Sequence, residues 1–153
     1  MLEIRPATHA DIDSLKELYV SEVEDHTERA AAFAEQLTTR FKTLLALHDG
    51  HLCGTVTWDT RGGLDDGVVE LVSLGVNSAY QRRGIATKLV EKLIADASQF
   101  YSDRGYTLRT IILFMERKNE RARKFYSGIR FSEVAKVPRL YPHDDAVIWT
   151  RHL

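Results

Sequence analysis

The sequence predicts an α+β fold, because strand-like and helical segments follow one another without a fixed alternation. Two observations carry this prediction. Asp49-Gly50 separates two strand-like runs, as in a short hairpin. Residues 68–76, a helix opened by Gly84, and residues 108–114 form a strand, a helix and a strand, which implies a right-handed crossover between parallel neighbours. The length of 153 residues suits one domain spanning residues 1–153.

The first segments alternate between strand and helix. Residues 2–5 read as a short strand ended by Pro6, and Thr8 is placed to cap a helix with apolar residues at helical spacing. A second, alanine-rich helix is predicted at about residues 30–41, with aromatic and aliphatic side chains at four-residue steps along one face. This apolar face is expected to pack on a sheet.

The remaining segments are mostly strands. The hairpin strands are residues 44–48 and 52–58, and the β-branched run 68–76 is typical of a central strand. The helix from Gly84 is expected to end near Gly105. A shorter helix at about 119–127 and strands near 131–137 and 146–151 complete the chain.

Composition excludes several classes of protein. Hydrophobic residues make up 44% and charged residues 28%, and 21 basic against 22 acidic side chains give a net charge of -1, so neither nucleic acid nor a membrane surface is expected as a partner. No window approaches the roughly 20 apolar residues of a membrane span, and no leader pattern opens the chain. The single Cys53 lies in an apolar run and is expected to be a buried, inert thiol, which favours a cytoplasmic protein.

The segment Gln81-Arg82-Arg83-Gly84-Ile85-Ala86 joins the central strand to the following helix. Amides at a helix start lack partners and lie at the positive end of the dipole, so the segment is a candidate anion site. It matches neither the GxxxxGK[ST] nor the GxGxxG pattern. The alternative, a packing glycine beside two solvated arginines, stays open at this point.

The strand followed by Gln81-x-x-Gly84-x-Ala86 resembles the acetyl-coenzyme A motif of the GCN5-related N-acetyltransferase (GNAT) superfamily. The start, Ile4-Arg5-Pro6-Ala7-Thr8 with Asp11, and the later run Asn119-Glu120-Arg121-Ala122-Arg123-Lys124-Phe125-Tyr126 are similar as well. The resemblance implies a central, mixed, mostly antiparallel sheet of six to seven strands with about four helices and a splayed parallel pair of the fourth and fifth strands. Ser78, Ala86 and Arg130 depart from the family pattern.

The resemblance also implies a cofactor site for acetyl-coenzyme A as co-substrate, with no metal. Backbone groups of the central strand would face the pantetheine arm, and the amide of Leu74 would stabilise the thioester oxygen. The loop and helix start would hold the pyrophosphate, and an asparagine would bond the pantetheine region. The cofactor-binding residues are thus expected to be Leu74, Gly75, Val76, Gln81, Arg82, Arg83, Gly84, Ile85, Ala86, Thr87 and Asn119.

Two side chains suit the proton transfers that such a reaction requires. Glu70 matches the place of a catalytic glutamate in one branch of the superfamily and is the candidate general base; the alternative is a solvated strand residue with water as the base. Tyr126 matches a tyrosine near the cofactor sulfur and is the candidate general acid; the alternative is a packed aromatic. For Asn119, a helix N-cap is an alternative compatible with cofactor binding.

The acceptor is expected to be a primary amine of a small molecule. The acidic segment with Glu22, Glu24, Asp25 and Glu28 would attract a cation, and residues 138–145 form the other expected acceptor segment. A peptide α-amine or lysine is the alternative acceptor, and a non-catalytic coenzyme A sensor is the alternative from another class. The His48/His51 and His143-Asp144-Asp145 groupings lack the spacing of a metal site. The resemblance leaves monomer and homodimer open.

Overall fold

A computed structural model describes all residues, 1–153, as a mixed sheet of seven strands with four α-helices. The strand order is β1-β2-β3-β4-β5-β7-β6, and the β4/β5 ladder is parallel, which confirms the predicted α+β fold. The strands are β1 (Leu2–Pro6), β2 (Lys42–His48), β3 (His51–Thr60), β4 (Val68–Val76), β5 (Thr110–Glu116), β6 (Ser132–Tyr141) and β7 (Asp144–His152). The helices are α1 (Ile12–Glu22), α2 (Thr27–Glu35), α3 (Ile85–Ser102) and α4 (Glu120–Gly128).

Backbone contacts divide the chain into two compact units. The first comprises residues 1–59 and 73–96, and the second comprises residues 60–72 and 97–153. The single domain predicted from chain length stays a prediction.

The first unit contains the antiparallel strands β1, β2 and β3. Asp49 and Gly50 both have positive φ, 50° and 84°, between the paired residues His48 and His51, so the predicted hairpin turn is confirmed with the left-handed backbone that favours Asp-Gly. Leu15 of α1, Ala34 of α2, Leu37 and Leu45 of β2 form a buried cluster. The helices α1 and α2 therefore pack with their apolar faces against β2, as their periodicity predicts.

Asp11 connects β1 to the start of the helical segment. Its carboxylate accepts bonds from the Arg5 guanidinium at 2.7 and 2.9 Å and from the Thr8 amide at 2.7 Å. The side chain is buried, and the hydrogen bond from Arg5 is the main reason why the pKa of Asp11 falls to about 2. Thr8, the predicted cap, lies at the N-cap of the 3₁₀ turn His9–Asp11 directly before α1, and the Asp11 carboxylate binds its backbone amide.

The second helix differs from its predicted bounds. The α-helix covers Thr27–Glu35, and residues 36–40 continue as a π-helical turn. The hydroxyls of Thr38 and Thr39 donate to the Ala34 and Glu35 carbonyls at 2.8 and 2.6 Å. Such bonds engage the carbonyls that a regular helix uses, so consecutive threonines weaken the α-helical pattern here.

The second unit contains the ladders β4/β5, β5/β7 and β6/β7. Ile111 and Leu113 of β5 pair with Arg151 and Trp149 of β7, and Ile111, Leu113 and Trp149 are buried. The strand β6 is longer than predicted and almost entirely exposed, so its residues carry no apolar alternation from which its length could be predicted. It joins β7 through the two-residue turn Pro142-His143, where Tyr141 pairs with Asp144.

Candidate active site

The end of β4 is open. Burial alternates from Val68 to Leu71, but Val72 is 37% exposed and Gly75 is exposed. The parallel ladder with β5 pairs Val68–Glu70 with residues 110–112 and does not include Leu71 or Val72, as expected for a splayed pair. A Cβ added to Gly75 would meet no atom within 4 Å, so packing does not require glycine there and space is left beside the strand.

The loop before α3 presents a run of unpaired amides. The first backbone bond at the helix start runs from the Lys88 amide to the Gly84 carbonyl at 3.1 Å, and no amide of residues 82–87 donates to a protein acceptor. Arg82 and Gly84 have positive φ, 64° and 76°, a conformation that turns successive amides toward one concavity. A Cβ on Gly84 would meet open space, and the loop can therefore receive an anion.

Contacts within the first unit hold this loop. The Gln81 side chain donates to the Val76 carbonyl at 3.1 Å, and the Glu22 carboxylate accepts from the Ser78 amide at 2.6 Å. The Arg83 guanidinium lies 5.2 Å from the Tyr80 ring centroid. Gln81 thus fixes the loop to the end of β4, a role that the motif alone does not predict.

Glu70 lies on β4 and forms an ion pair that sequence reasoning missed. The Arg61 guanidinium lies 2.9 Å from the Glu70 carboxylate and 5.3 Å from the Phe114 ring centroid. The Arg61 amide also donates to the Val68 carbonyl at 3.0 Å, which fixes the backbone that carries this arginine. The partner could have been suspected only from the turn that brings residue 61 back to the start of β4.

Tyr126 is a buried tyrosine of α4. Its ring contacts Phe125 and Phe131 with centroid distances of 5.1 and 5.3 Å, and burial raises the pKa of its hydroxyl. No hydrogen bond within the protein engages this hydroxyl. Tyr126 is therefore a packed aromatic whose hydroxyl stays protonated, and its role as the general acid stays a prediction.

Asn119 caps α4. Its side chain accepts from the Ala122 amide at 3.1 Å, so the N-cap alternative for this residue is confirmed. The carboxamide nitrogen makes no bond to the protein. One end of Asn119 is structural and the other is available to a ligand.

Comparison with known proteins decides the family. Residues 10–129 match the acetyltransferase (GNAT) family. The chain belongs to this family. An N-acetyltransferase of Mycobacterium tuberculosis whose function is uncharacterised is 32% identical over 114 residues, which cover 74% of this chain and 67% of the relative. The chain is thus an acetyltransferase, an enzyme of the acyltransferase class.

Solved structures share the fold of this GNAT acetyltransferase. The ribosomal-protein-S18-alanine N-acetyltransferase of Escherichia coli superposes with a TM-score of 0.77 at 20% identity, covering 99% of this chain and 94% of that one. NAA60 of Arabidopsis thaliana in complex with acetyl-CoA superposes with a TM-score of 0.76 at 20% identity, covering 100% and 99%. These likenesses confirm the predicted GNAT fold.

The acidic segment of the acetyltransferase is less available than its sequence suggests. Glu22 is bound to the Ser78 amide. Glu24 accepts from the Tyr19 hydroxyl and forms an ion pair with Arg29 at 2.7 Å. Two of the expected acceptor-side carboxylates therefore have structural partners.

The two predicted groups of site residues fall in different units of the acetyltransferase. The β4 end and the loop belong to the first unit, and Glu70, Asn119 and Tyr126 belong to the second. Cys53 is fully buried, its thiol donates to the Ala46 carbonyl, and burial raises its pKa, so the predicted burial of this thiol is confirmed.

The acetyltransferase contains no cluster of three or more histidine, cysteine, aspartate or glutamate side chains that could hold a metal ion. None of its helices combines the length and the apolar character that crossing a membrane requires.

Proposed function

We propose that the enzyme transfers the acetyl group of acetyl-coenzyme A to a primary amine of a small molecule. The run of unpaired amides at residues 82–87 carries the donor half of this proposal, because a diphosphate supplies the acceptors that these amides lack. Membership of the acetyltransferase family supplies the reaction class.

The residues present fit the donor. Gly84 leaves the loop open, and Arg82 and Arg83 are exposed charges beside the amides. The side chain of Ile85 is buried, so this residue would bind the diphosphate through its backbone amide alone. Ala86 and Thr87 would likewise contribute their backbone amides. Residues 74–76 would bind the pantetheine arm through backbone groups, and the free carboxamide end of Asn119 would contact it as well.

Acetyl-coenzyme A supplies an activated acetyl thioester when it is bound. In this proposal Glu70 takes the proton that the attacking amine loses, and Arg61 holds its carboxylate in one position. The Leu74 amide stabilises negative charge on the carbonyl oxygen. The Tyr126 hydroxyl donates a proton to the departing sulfur.

One cavity has a size that a small acceptor could occupy. The cavity at the β6–β7 hairpin, lined by residues 117–118, 139 and 141–145, has a volume of about 470 Å³, within the range of small-molecule sites. The E. coli structural relative is named for acetylation of a ribosomal protein, so a peptide amine is the alternative to be tested. The buried Cys53 thiol suits a reducing compartment, and we place the enzyme in the cytoplasm.

Two measurements test the proposal. Release of free thiol from acetyl-coenzyme A is followed with small primary amines, lysine peptides and peptides with a free N-terminus. Acceptor-dependent release with small amines supports the proposal. Release with peptides alone would refute a small-molecule acceptor and indicate a peptide amine instead. Binding of acetyl-coenzyme A without release for any acceptor indicates a sensor.

Calorimetry with coenzyme A tests the loop separately. The double variant Arg82→Glu and Arg83→Glu is expected to weaken binding about tenfold or more, because two attractive charges become repulsive. Arg104→Glu, an exposed reversal beyond the end of α3, is the matched control and should leave binding unchanged. Equal affinity of the double variant and the control would refute the phosphate assignment.

A further inference from the structure

The cavity at the β6–β7 hairpin, hereafter the hairpin cavity, combines basic and acidic side chains. Arg117, Lys118 and Arg139 line it together with Asp144 and Asp145. All of these residues belong to the second unit. Three cationic side chains against two carboxylates leave the lining with a net positive charge.

Both aspartates are used by the fold. Asp144 accepts from the Lys118 amide and from the Asp145 amide, each at 2.8 Å. Burial alone would raise its pKa, but these amides and the nearby Arg117 outweigh that effect and hold the pKa below its ordinary value. Asp145 accepts from the Arg139 amide at 2.9 Å, which lowers its pKa, with Lys136 at 3.4 Å adding to the effect.

The basic side chains have fewer partners. The side chains of Lys118, Arg139 and His143 make no hydrogen bond or ion pair within the protein. Arg117 approaches Asp144 at 3.5 Å and Asp145 at 3.9 Å, distances too long for tight pairing, and is 47% exposed. Arg139 and Lys118 are therefore the cations of the cavity that lack a close carboxylate partner, although the charge of Lys118 also lowers the pKa of Asp144.

One of these cations has an unusual and fixed backbone conformation. Arg139 has a φ of 58°, in the left-handed region that disfavours a side chain, and its amide is fixed by Asp145. Strain of this kind persists where the surrounding structure imposes it and is concentrated at ligand sites. Arg139 therefore has a fixed backbone, and its guanidinium makes no bond within the protein.

Tyr141 relates the cavity to the candidate base. It lines the cavity, and its pKa is raised by burial and by the charges of Glu116 and Glu70. The carboxylates near Tyr141 suit the ammonium form of an incoming amine, whereas Arg139 and Lys118 suit a group of opposite charge. An acceptor that carries both charges would match both sets of side chains.

We propose that the hairpin cavity binds an anionic group, a carboxylate or a phosphate, carried by the acceptor, with Arg139 and Lys118 as its principal contacts. This inference rests on the proposed acetylation of a small primary amine and adds its substrate class, a short amine with an anionic end. A guanidinium offers paired donors in the geometry of either anion.

Calorimetry with three small amines tests the inference without requiring turnover. The probes are β-alanine, phosphoethanolamine and the uncharged control β-alaninamide, each titrated into the protein with coenzyme A present. At least one anionic amine is expected to bind about tenfold or more tighter than β-alaninamide, because a bond to a charged group carries that much discrimination. The stronger of the two anions identifies carboxylate or phosphate as the group.

Variants test which side chains cause the preference for anionic amines. Arg139→Gln and Lys118→Gln are each expected to reduce the preference for the anionic amine, and their double variant to abolish it. Arg130→Gln is the matched control, since Arg130 is another exposed arginine with positive φ, 72°, and lies outside the cavity. Equal binding of all three amines, no binding of either anion, or a preference that survives the double variant would overturn the inference.

Thiol release with the same amines separates this result from the proposed function. A binding preference that Arg139→Gln removes, without turnover of any amine, supports the anion site and refutes acetylation of small amines. Turnover of β-alaninamide at the same kcat/KM as the anionic amines supports the proposed function and refutes the anion site.

Discussion

The substitution Asp11→Asn keeps the shape of a buried side chain and removes its charge. The wild-type carboxylate binds the Arg5 guanidinium and the Thr8 amide, and its pKa lies at about 2 instead of the ordinary 3.8. One unit of pKa corresponds to about 1.4 kcal/mol, so the ionised carboxylate contributes on the order of 2 kcal/mol to the free energy of unfolding. The asparagine oxygen retains one acceptor, so the loss should not exceed this value by much.

The contribution of Asp11 depends on pH in a defined direction. Because the folded pKa is lower than the unfolded pKa, the stabilisation is complete above about pH 4 and is lost as the pH falls toward 2. The difference in unfolding free energy between wild type and Asp11→Asn should therefore be about 2 kcal/mol at pH 7 and should shrink across this acidic window. At neutral pH it corresponds to a drop in Tm of about 4 to 8 °C.

Urea unfolding of both proteins at neutral and acidic pH measures this difference. Asp13→Asn is the matched control, an exposed aspartate in the first turn of α1, and should change stability by less than about 0.5 kcal/mol. A double-mutant cycle with Arg5→Gln assigns the share of the ion pair. A neutral Asp11→Asn variant, or a loss that stays constant down to pH 2, would refute the linkage argument.

Three further substitutions test other parts of the molecule. Tyr126→Phe should lower kcat on the order of a hundredfold and leave the KM for acetyl-coenzyme A nearly unchanged, and a kcat equal to that of the wild type would remove Tyr126 from the chemistry. Because burial raises the pKa of this hydroxyl, its ionisation should cause no loss of wild-type activity up to about pH 10. Glu70→Gln should lower kcat by a similar factor, whereas Arg61→Gln, which keeps the carboxylate, should cost less; an unaltered pH–rate profile of Glu70→Gln would indicate water as the base. Arg130 has a φ of 72°, a left-handed conformation that glycine adopts without the steric cost of a Cβ. Arg130→Gly should therefore raise the free energy of unfolding by about 1 kcal/mol in thermal or urea unfolding, and a destabilised variant would contradict this reasoning.

The fold could be predicted where apolar periodicity or turn chemistry is local. The Asp49-Gly50 turn and the position of α3 follow from neighbouring residues, and the structure confirms both. The extent of β6 could not be predicted, because its residues are almost all exposed and show no alternation. The π-helical turn at 36–40 likewise depends on which carbonyl each threonine hydroxyl selects.

Part of the candidate site could likewise be predicted from neighbouring residues, and part could not. The loop was predictable because a glycine, a basic pair and a helix start are adjacent in sequence. The Arg61–Glu70 pair was not, since it depends on the rotamers of two side chains nine residues apart. The hairpin cavity joins residues 117–118 to residues 139 and 141–145, and only strand pairing brings such segments together.

The bond between Glu22 and the Ser78 amide limits how this protein can change in length. Glu22 is the last residue of α1, and each residue added to or deleted from a helix turns the following side chains by about 100°. An insertion within α1 would rotate this carboxylate away from the Ser78 amide, whereas an insertion among residues 23–26 would leave the bond in place. The connection between α1 and α2 can therefore vary in length without disturbing the segment that leads into the amide-rich loop.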